Sequence, residues 1–117
     1  MTDDTIKLTT AQAIVGWLSS QFIKIDGKEE RLCGGGFGIF GHGNVTCLGE
    51  ALYNHKEELP LYRGQNEQSM GFAAAGYSKY WLRKRFMFCT ASAGPGTANL
   101  LTAAGLAHTN RLPMLLL

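Results

Sequence analysis

Glu67 is the residue whose type and position most favour chemistry. It follows Arg63–Asn66 at the start of a long predicted helix, and this short segment joins a predicted strand to that helix. A carboxyl group at the carboxyl edge of a parallel sheet can exchange a proton with a nitrogen atom of a ligand. A carboxylate in the first turn of a helix is also stabilised by the helix dipole without any ligand. The spacing alone does not decide between these two interpretations.

Two glycine-containing loops are predicted at the same edge of the sheet. In the first, His42 lies between Gly41 and Gly43; the second is Ser92–Gly96, with Gly94 at its centre. Glycine lets the backbone approach a ligand closely, and free amides at the start of a helix bind anions. Tight turns, with a loop histidine hydrogen-bonded to the backbone, are the alternative to a binding site.

Three other patterns favour a ligand less strongly. Gly36–Gly41 has the spacing of a dinucleotide-binding motif, but a polar turn is predicted before it, where that motif needs a strand. The basic and aromatic segment Lys79–Arg85 resembles a nucleic-acid contact, but its four cations are also expected in the last turn of a helix, where they complement its dipole. The three histidines and three cysteines lack the spacing of a metal site.

Composition limits the classes of protein to which the chain can belong. Its 117 residues are 45% apolar and 17% charged, with a formal net charge of +2. This composition is typical of one globular unit, and so small a charge provides no field that attracts nucleic acid or acidic lipid. No apolar run approaches the roughly 20 residues that cross a bilayer, and the acidic start of the chain is unlike a secretory signal. We therefore expect a cytoplasmic protein with reduced cysteines.

Helical and strand-like segments alternate along the chain. A capping box at Thr9 and Gln12 predicts the start of the first helix, which is followed by a polar turn or short excursion at Asp26–Arg31. The predicted apolar face of this helix is Ala11, Ile14, Val15, Leu18 and Phe22. The predicted strands are Phe37–Phe40, Leu59–Tyr62, Phe86–Ala91 and Leu112–Leu117. The predicted helices between or before them are Val45–Tyr53, Asn66–Arg83 and Thr97–Thr109. This alternation predicts an α/β fold, a parallel sheet with helices on both faces.

The last predicted strand has the character of an interior strand. Leu112–Leu117 is apolar, yet no loop or helix follows it. Interior parallel strands are covered on both faces and are continued by crossover connections. We therefore expect residues 1–117 to be the first part of a larger domain, truncated at its carboxyl-terminal end.

Three segments together resemble a known family. They are Asn66–Lys79, Thr90–Asn99 and Asn110–Leu117. Their order, a Glu before an Ala- and Gly-rich helix and then a Gly-Pro-Gly loop, resembles the amino-terminal, pyrimidine-binding domain of thiamine diphosphate enzymes of the acetolactate synthase-like type. The resemblance extends from about Thr9 to the end of the chain.

Further segments narrow the resemblance to one branch. They are Ile25–Glu30, Ile39–Val45 and Tyr62–Gln68. They resemble the branch of inositol catabolism whose enzymes open a cyclic diketone ring by hydrolysis. The glycine-rich run Cys33–Gly36 departs from the pattern expected before the strand.

The resemblance implies a thiamine diphosphate-binding fold and roles for particular residues. In such enzymes the Glu that matches Glu67 hydrogen-bonds a nitrogen of the cofactor's pyrimidine ring and takes part in the proton relay that activates the cofactor. The loops that contain Gly41, Gly43 and Gly94 would then lie beside the pyrimidine. The implied substrate is a small cyclic diketone.

The resemblance also implies what this chain lacks. In this family the diphosphate and Mg²⁺ are bound by a separate carboxyl-terminal domain of the partner subunit, and the motif of that domain does not occur in this sequence. The family therefore implies a homodimer or higher oligomer, and a chain that is inactive alone. No nucleic-acid or membrane partner is expected. A carboligase or decarboxylase of the same superfamily, or a noncatalytic module that binds a partner, are the alternatives.

Overall fold

A parallel sheet forms the centre of the fold. A computed structural model describes residues 5–117, so the first four residues, in which most of the acidic start lies, are outside the described part. In chain order the elements are α1 (Thr10–Ser19), β1 (Phe22–Ile25), β2 (Lys28–Arg31), β3 (Cys33–Gly38), α2 (His42–Asn44), a π-helical turn (Val45–Gly49), α3 (Glu50–Asn54), β4 (Leu61–Arg63), α4 (Glu67–Tyr80), β5 (Phe86–Thr90), α5 (Pro95–Thr109) and β6 (Leu115–Leu116). Strands β4, β3, β5 and β6 lie side by side in that order and all pair in parallel, which confirms the predicted sheet.

Helices cover both faces of this sheet, as predicted. Phe88 of β5 packs into one cluster with Val15 and Leu18 of α1. Its neighbours Met87 and Cys89 pack into a second cluster, with residues of α4 and α5. Successive side chains of a strand point to opposite faces, so this division shows that β5 is buried on both sides.

Helix α1 begins as predicted and ends earlier. Oγ1 of Thr9 accepts a hydrogen bond of 3.2 Å from the backbone N–H of Gln12, and Oε1 of Gln12 accepts one of 2.9 Å from that of Thr9. The hydroxyls of Ser19 and Ser20 then donate to carbonyl oxygens of the last turn. The prediction that Phe22 extends the helical face is wrong, because Phe22 begins β1 and is half exposed.

The segment predicted as a polar turn is largely a β-hairpin. Strands β1 and β2 pair antiparallel, and the Asp-Gly pair between them has φ angles of 50° and 81°. Two residues with positive φ form the turn that suits the twist of paired strands. Arg85 fastens the hairpin to the sheet, since its Nε donates to the carbonyl oxygen of Arg31 at 2.6 Å and its Nη1 lies 3.4 Å from Oε2 of Glu30.

Strand β3 begins at Cys33, before the predicted start at Phe37. Its glycines are required by large side chains that lie over them. A Cβ on Gly34 would collide with the ring of Tyr77, and a Cβ on Gly36 would collide with the ring of Phe88. Strand residues therefore precede Gly36, where the sequence predicts only a polar turn, but the first glycines of the dinucleotide-like pattern pack inside the sheet.

The predicted loop after β3 is shorter than expected. Helical structure begins at His42, directly after the extended residue Gly41, and a hydrogen bond of 3.1 Å from Asn44 N to the carbonyl oxygen of Gly41 closes the first turn. Helix α2, the π-helical turn and α3 follow one another without a break to Asn54. The helix predicted over residues 45–53 is thus present and begins earlier.

The remaining boundaries differ from the predicted ones by a few residues. Helix α4 ends at Tyr80 because Leu82 and Arg83 have positive φ angles, which no α-helix accommodates. Helix α5 begins at Pro95, a residue whose fixed φ suits the first helical position. No helix within residues 5–117 is both long and apolar enough to cross a membrane.

Candidate functional site

The loops after β3, β4 and β5 meet at the carboxyl edge of the sheet, and Glu67 lies among them. Glu67 is the first residue of α4, four residues after β4 ends at Arg63. Asn66 caps the helix, because its Oδ1 accepts a hydrogen bond of 3.0 Å from the backbone N–H of Ser69. The carboxylate is partly exposed, as a group that meets a ligand must be.

Asn99 of helix α5 contacts this carboxylate directly. Its Nδ2 donates a hydrogen bond of 2.9 Å to Oε2 of Glu67. The other carboxylate oxygen, Oε1, faces Gly96, where a Cβ would lie only 3.2 Å from it. One oxygen is therefore held by the protein, and the other is left beside a backbone that carries no side chain.

The environment of Glu67 favours its charged form. The hydrogen bond from Asn99, followed by the backbone N–H of Glu67 itself, lowers the pKa of the Glu67 carboxyl below its ordinary value. The helix dipole at the start of α4 acts in the same direction. Near neutral pH the group is thus a carboxylate, which accepts a hydrogen bond from a ligand N–H or takes up its proton.

Ser92 connects the loops that surround this carboxylate. A Cβ on Gly41 would lie 3.0 Å from Cβ of Ser92, and a Cβ on Gly96 would lie 2.6 Å from its Oγ. The carbonyl oxygen of Ser92 also accepts hydrogen bonds from the N–H and hydroxyl of Thr97, at 3.0 and 2.9 Å. From the sequence alone Ser92 is expected only to lie in a loop; its position directly beyond a buried strand is the signal that could have pointed to it.

Gly41 and Gly43 lie at a shallow cleft of about 430 Å³, and Gly94 lies outside its lining. The lining residues are Gly41, His42, Gly43, Asn44, Ser92 and Ala93. His42 and Gly43 are exposed there. Gly94 instead precedes α5 with a φ of 78°, which favours glycine at that turn. Glu67 is not in the lining of this cleft. Its carboxylate lies beside Gly96, and Gly96 lies beside Ser92, which is one of the lining residues.

The other candidate residues lie apart from this edge or have structural partners. His55 lies 3.9 Å from Glu58 in the same turn, and His108 is exposed near the end of α5. Within residues 5–117 no group of three or more His, Cys, Asp or Glu side chains could hold a metal ion. In this part of the chain the site therefore offers a carboxylate, a hydroxyl and backbone, but no set of metal ligands.

Some cations of the basic segment at the end of α4 form hydrogen bonds with other parts of the fold. Only Lys79 lies inside the helix, and the remaining cations follow its end, which corrects the prediction that all four lie in its last turn. Arg83 donates to the carbonyl oxygens of Arg111 and Asn110, each at 3.2 Å. Arg85 is engaged with the β1–β2 hairpin. Two of the four cations thus have structural partners.

Comparisons with known proteins agree on one family. A family model for thiamine pyrophosphate enzymes, N-terminal TPP binding domain, matches residues 36–117. Over the whole chain the sequence is 51% identical to a 3D-(3,5/4)-trihydroxycyclohexane-1,2-dione hydrolase of Listeria innocua. Over 97% of the chain it is 49% identical to proteins of that name from Bacillus thuringiensis and Bacillus anthracis. The chain spans 18% of the length of each of these relatives.

Proposed function

Because the chain belongs to the thiamine pyrophosphate enzyme family, through the N-terminal TPP binding domain, we propose that its carboxyl sheet edge binds the pyrimidine ring of thiamine diphosphate. The observation that carries this proposal is the Glu67 carboxylate, with Oε2 held by Asn99 and Oε1 left beside Gly96. We extend the domain over the whole of 1–117, since α1 packs into the same core cluster as β5.

The residues at this edge fit the aminopyrimidine part of the cofactor. A ring nitrogen needs a partner that shares a proton with it, and within residues 5–117 Oε1 is the oxygen of the Glu67 carboxylate to which no other side chain donates. A flat ring needs close approach to the backbone, and a Cβ at Gly96 would fill the space between Ser92 and Glu67. For the diphosphate and Mg²⁺, we propose that a part of the protein outside residues 5–117 supplies the ligands.

Glu67 would exchange a proton with the pyrimidine ring of the cofactor. When bound, thiamine diphosphate supplies a carbon nucleophile that adds to a ketone and allows the adjacent carbon–carbon bond to break. Glu67 would hold a proton at the pyrimidine nitrogen and the loop at Gly41 and Gly43 would lie beside the ring, while Gly94 sets the turn that starts α5. Since the carboxylate is charged near neutral pH, it accepts that proton without first losing one of its own.

We propose that the whole protein hydrolyses trihydroxycyclohexane-1,2-dione. The name of the relatives from Listeria and Bacillus supports this substrate, since they are 49 to 51% identical to the chain. In the reaction the bond between the two ring carbonyl carbons breaks, water converts one carbonyl to a carboxylate, and the other carbon takes up a proton.

We further propose an acetolactate synthase-like homodimer or higher oligomer in the cytoplasm, which suits three free cysteines. A net charge of +2 supports a protein without nucleic-acid or membrane partners.

The test uses the native gene product, at the length in which the source cell makes it. Purified protein is supplied with thiamine diphosphate and Mg²⁺, and consumption of the cyclic diketone is compared with consumption of pyruvate. We expect ring opening of the diketone. Consumption of pyruvate alone would assign the protein to the carboligases or decarboxylases, and absence of cofactor binding would assign it to noncatalytic modules; either result overturns the proposal.

A pair of variants tests the site itself. Glu67→Gln keeps the shape and removes the acid, and we expect turnover to fall about 100-fold or more at saturating cofactor. Glu57→Gln is the matched control, because Glu57 is exposed in a turn outside the site. Near-normal turnover of Glu67→Gln would refute the assigned role of Glu67.

A further inference from the structure

The side chain of Asn99 is directed at the Glu67 carboxylate. It is in the second turn of α5, next to the buried residue Leu100, and its own side chain is only partly exposed. Within residues 5–117 the only hydrogen bond made by its side chain is the one from Nδ2 to Oε2 of Glu67. The amide therefore has a single partner, and that partner is the carboxylate of the proposed cofactor site.

The packing of the two helices fixes this contact. A Cβ on Gly71 of α4 would collide with Cβ of Ala103 in α5, so the helices approach as closely as two backbones with small residues allow. Gly71 lies one helical turn after Glu67, and Ala103 lies one turn after Asn99. The same close approach therefore brings the amide of Asn99 to the carboxylate of Glu67.

Fixing one carboxylate oxygen determines what the other can do. A carboxylate at the start of a helix, with no partner, rotates freely and presents either oxygen to solvent. With Oε2 engaged by Asn99, the oxygen that faces Gly96 is Oε1. An amide nitrogen donates and does not accept, so the contact also favours the charged carboxylate, which is the stronger acceptor, over the protonated acid.

We propose that Asn99 is a positioning residue, which orients the Glu67 carboxylate so that Oε1 is the atom presented to the pyrimidine nitrogen. The inference rests on the proposed cofactor site and assigns a role to a residue outside the loops that surround it. It requires that loss of the amide disturbs the protonation and orientation of Glu67 while helix α5 stays folded. The lowered pKa of the Glu67 carboxyl agrees with this requirement.

A labelling experiment without cofactor measures the effect on Glu67 directly. A water-soluble carbodiimide couples an amine to protonated carboxyl groups, and trypsin then releases residues 64–79, in which Glu67 is the only carboxylate. The pH midpoint of labelling is expected to rise from the wild type to Asn99→Ala, and to rise further in Asn99→Asp, where a second carboxylate faces the first. The peptide of residues 57–63, which carries Glu57 and Glu58, is the internal control and should keep its midpoint in all three proteins.

Turnover of the native-length protein with cofactor completes the test. Asn99→Ala is expected to lower turnover about 10- to 100-fold, because misplacement of a reacting group by a fraction of an ångström to one ångström has effects of that size. Asn99→Gln keeps an amide donor on a longer side chain and is expected to recover part of the loss. Thr102→Ala, an exposed substitution one turn further along α5, should leave turnover and labelling unchanged.

The outcomes separate this inference from the proposed function. If Glu67→Gln loses activity while Asn99→Ala and Asn99→Asp keep the wild-type labelling midpoint and turnover, the role of Asn99 is refuted and the site stands. If Glu67→Gln keeps full activity, the proposed site itself fails. A shift in the order wild type, Asn99→Ala, Asn99→Asp, together with the loss of turnover in Asn99→Ala and its partial recovery in Asn99→Gln, would support the inference, because a residue that only stabilises helix α5 does not produce all three effects.

Discussion

Nδ2 of Asn99 lies 2.9 Å from Oε2 of Glu67, although 32 residues separate them in the chain. The bond joins the first residue of α4 to the second turn of α5. The position of the carboxylate therefore depends on how two helices pack, as well as on the loop that precedes it. A substitution that separates the helices should disturb the site even when it contacts no ligand.

Gly71→Ala is expected to destabilise helix α4. The added methyl group would collide with Cβ of Ala103, and overpacking of this kind costs about 1–3 kcal/mol. Gly76→Ala is the matched control on the same helix, because a Cβ there meets nothing within 4 Å. This control should stabilise the helix by about 0.5–1 kcal/mol, since glycine is a poor helix former. Amide hydrogen exchange of residues 64–79 measures both effects, and equal shifts in the two variants would contradict the packing.

Acid should remove the stability that the Glu67 charge provides. The pKa of this carboxyl is lower in the folded protein than its ordinary value, so the contribution is complete above the ordinary pKa and is lost as the pH falls through the lowered one. The free energy of unfolding of the wild type should therefore exceed that of Glu67→Gln near neutral pH, and the difference should shrink on acidification. Denaturant unfolding at a series of pH values measures it. A difference that stays constant would mean that the hydrogen bond does not favour the charged form.

The sheet, the helices and the place of Glu67 at the start of α4 could be predicted because each has a local signal. Thr9 and Gln12 form the predicted capping box, and Glu67 begins its helix directly after a strand and a short polar loop. Parallel strands separated by helices have few possible arrangements, so the position of Glu67 at the carboxyl edge followed from the order of elements. The contact with Asn99 had no such signal, since it depends on the spacing of two helices.

The hairpin was missed although a local signal was present. An Asp-Gly pair between residues 22–25 and 28–31 is a strong indication of a two-residue turn, but the charged residues of the second strand hid its extended conformation. For Ser92, by contrast, the sequence contains no local signal of its contacts. Its place beside Gly41 and Gly96 comes from the meeting of two loops in space, which no pattern along the chain records.

Cys47 should react with iodoacetamide much faster than the other two cysteines. Cys47 is exposed, whereas Cys33 and Cys89 are buried in the two core clusters. Burial raises the pKa of the Cys89 thiol to about 11 and also raises that of Cys33, and only the thiolate reacts readily. We expect a difference of about 100-fold or more near pH 8, measured by mass spectrometry of peptides, and equal labelling of all three thiols in urea. Rapid labelling of Cys89 in the native protein would contradict its position in the core.

Arg85 should control how firmly the β1–β2 hairpin is held. Its guanidinium donates to the carbonyl oxygen of Arg31, lies near Glu30 and stacks 4.6 Å from the centre of the Trp81 ring. Arg85→Lys keeps the charge but loses the planar fork that makes these contacts together. We expect a loss of about 1–2 kcal/mol locally and hence a 5- to 30-fold faster cleavage of the hairpin after Glu29 and Glu30 by a glutamate-specific protease. Lys84→Ala changes the neighbouring exposed cation and no cleavage site of this protease, so its cleavage rate should match the wild type. Equal rates in all three proteins would show that the hairpin is held without Arg85.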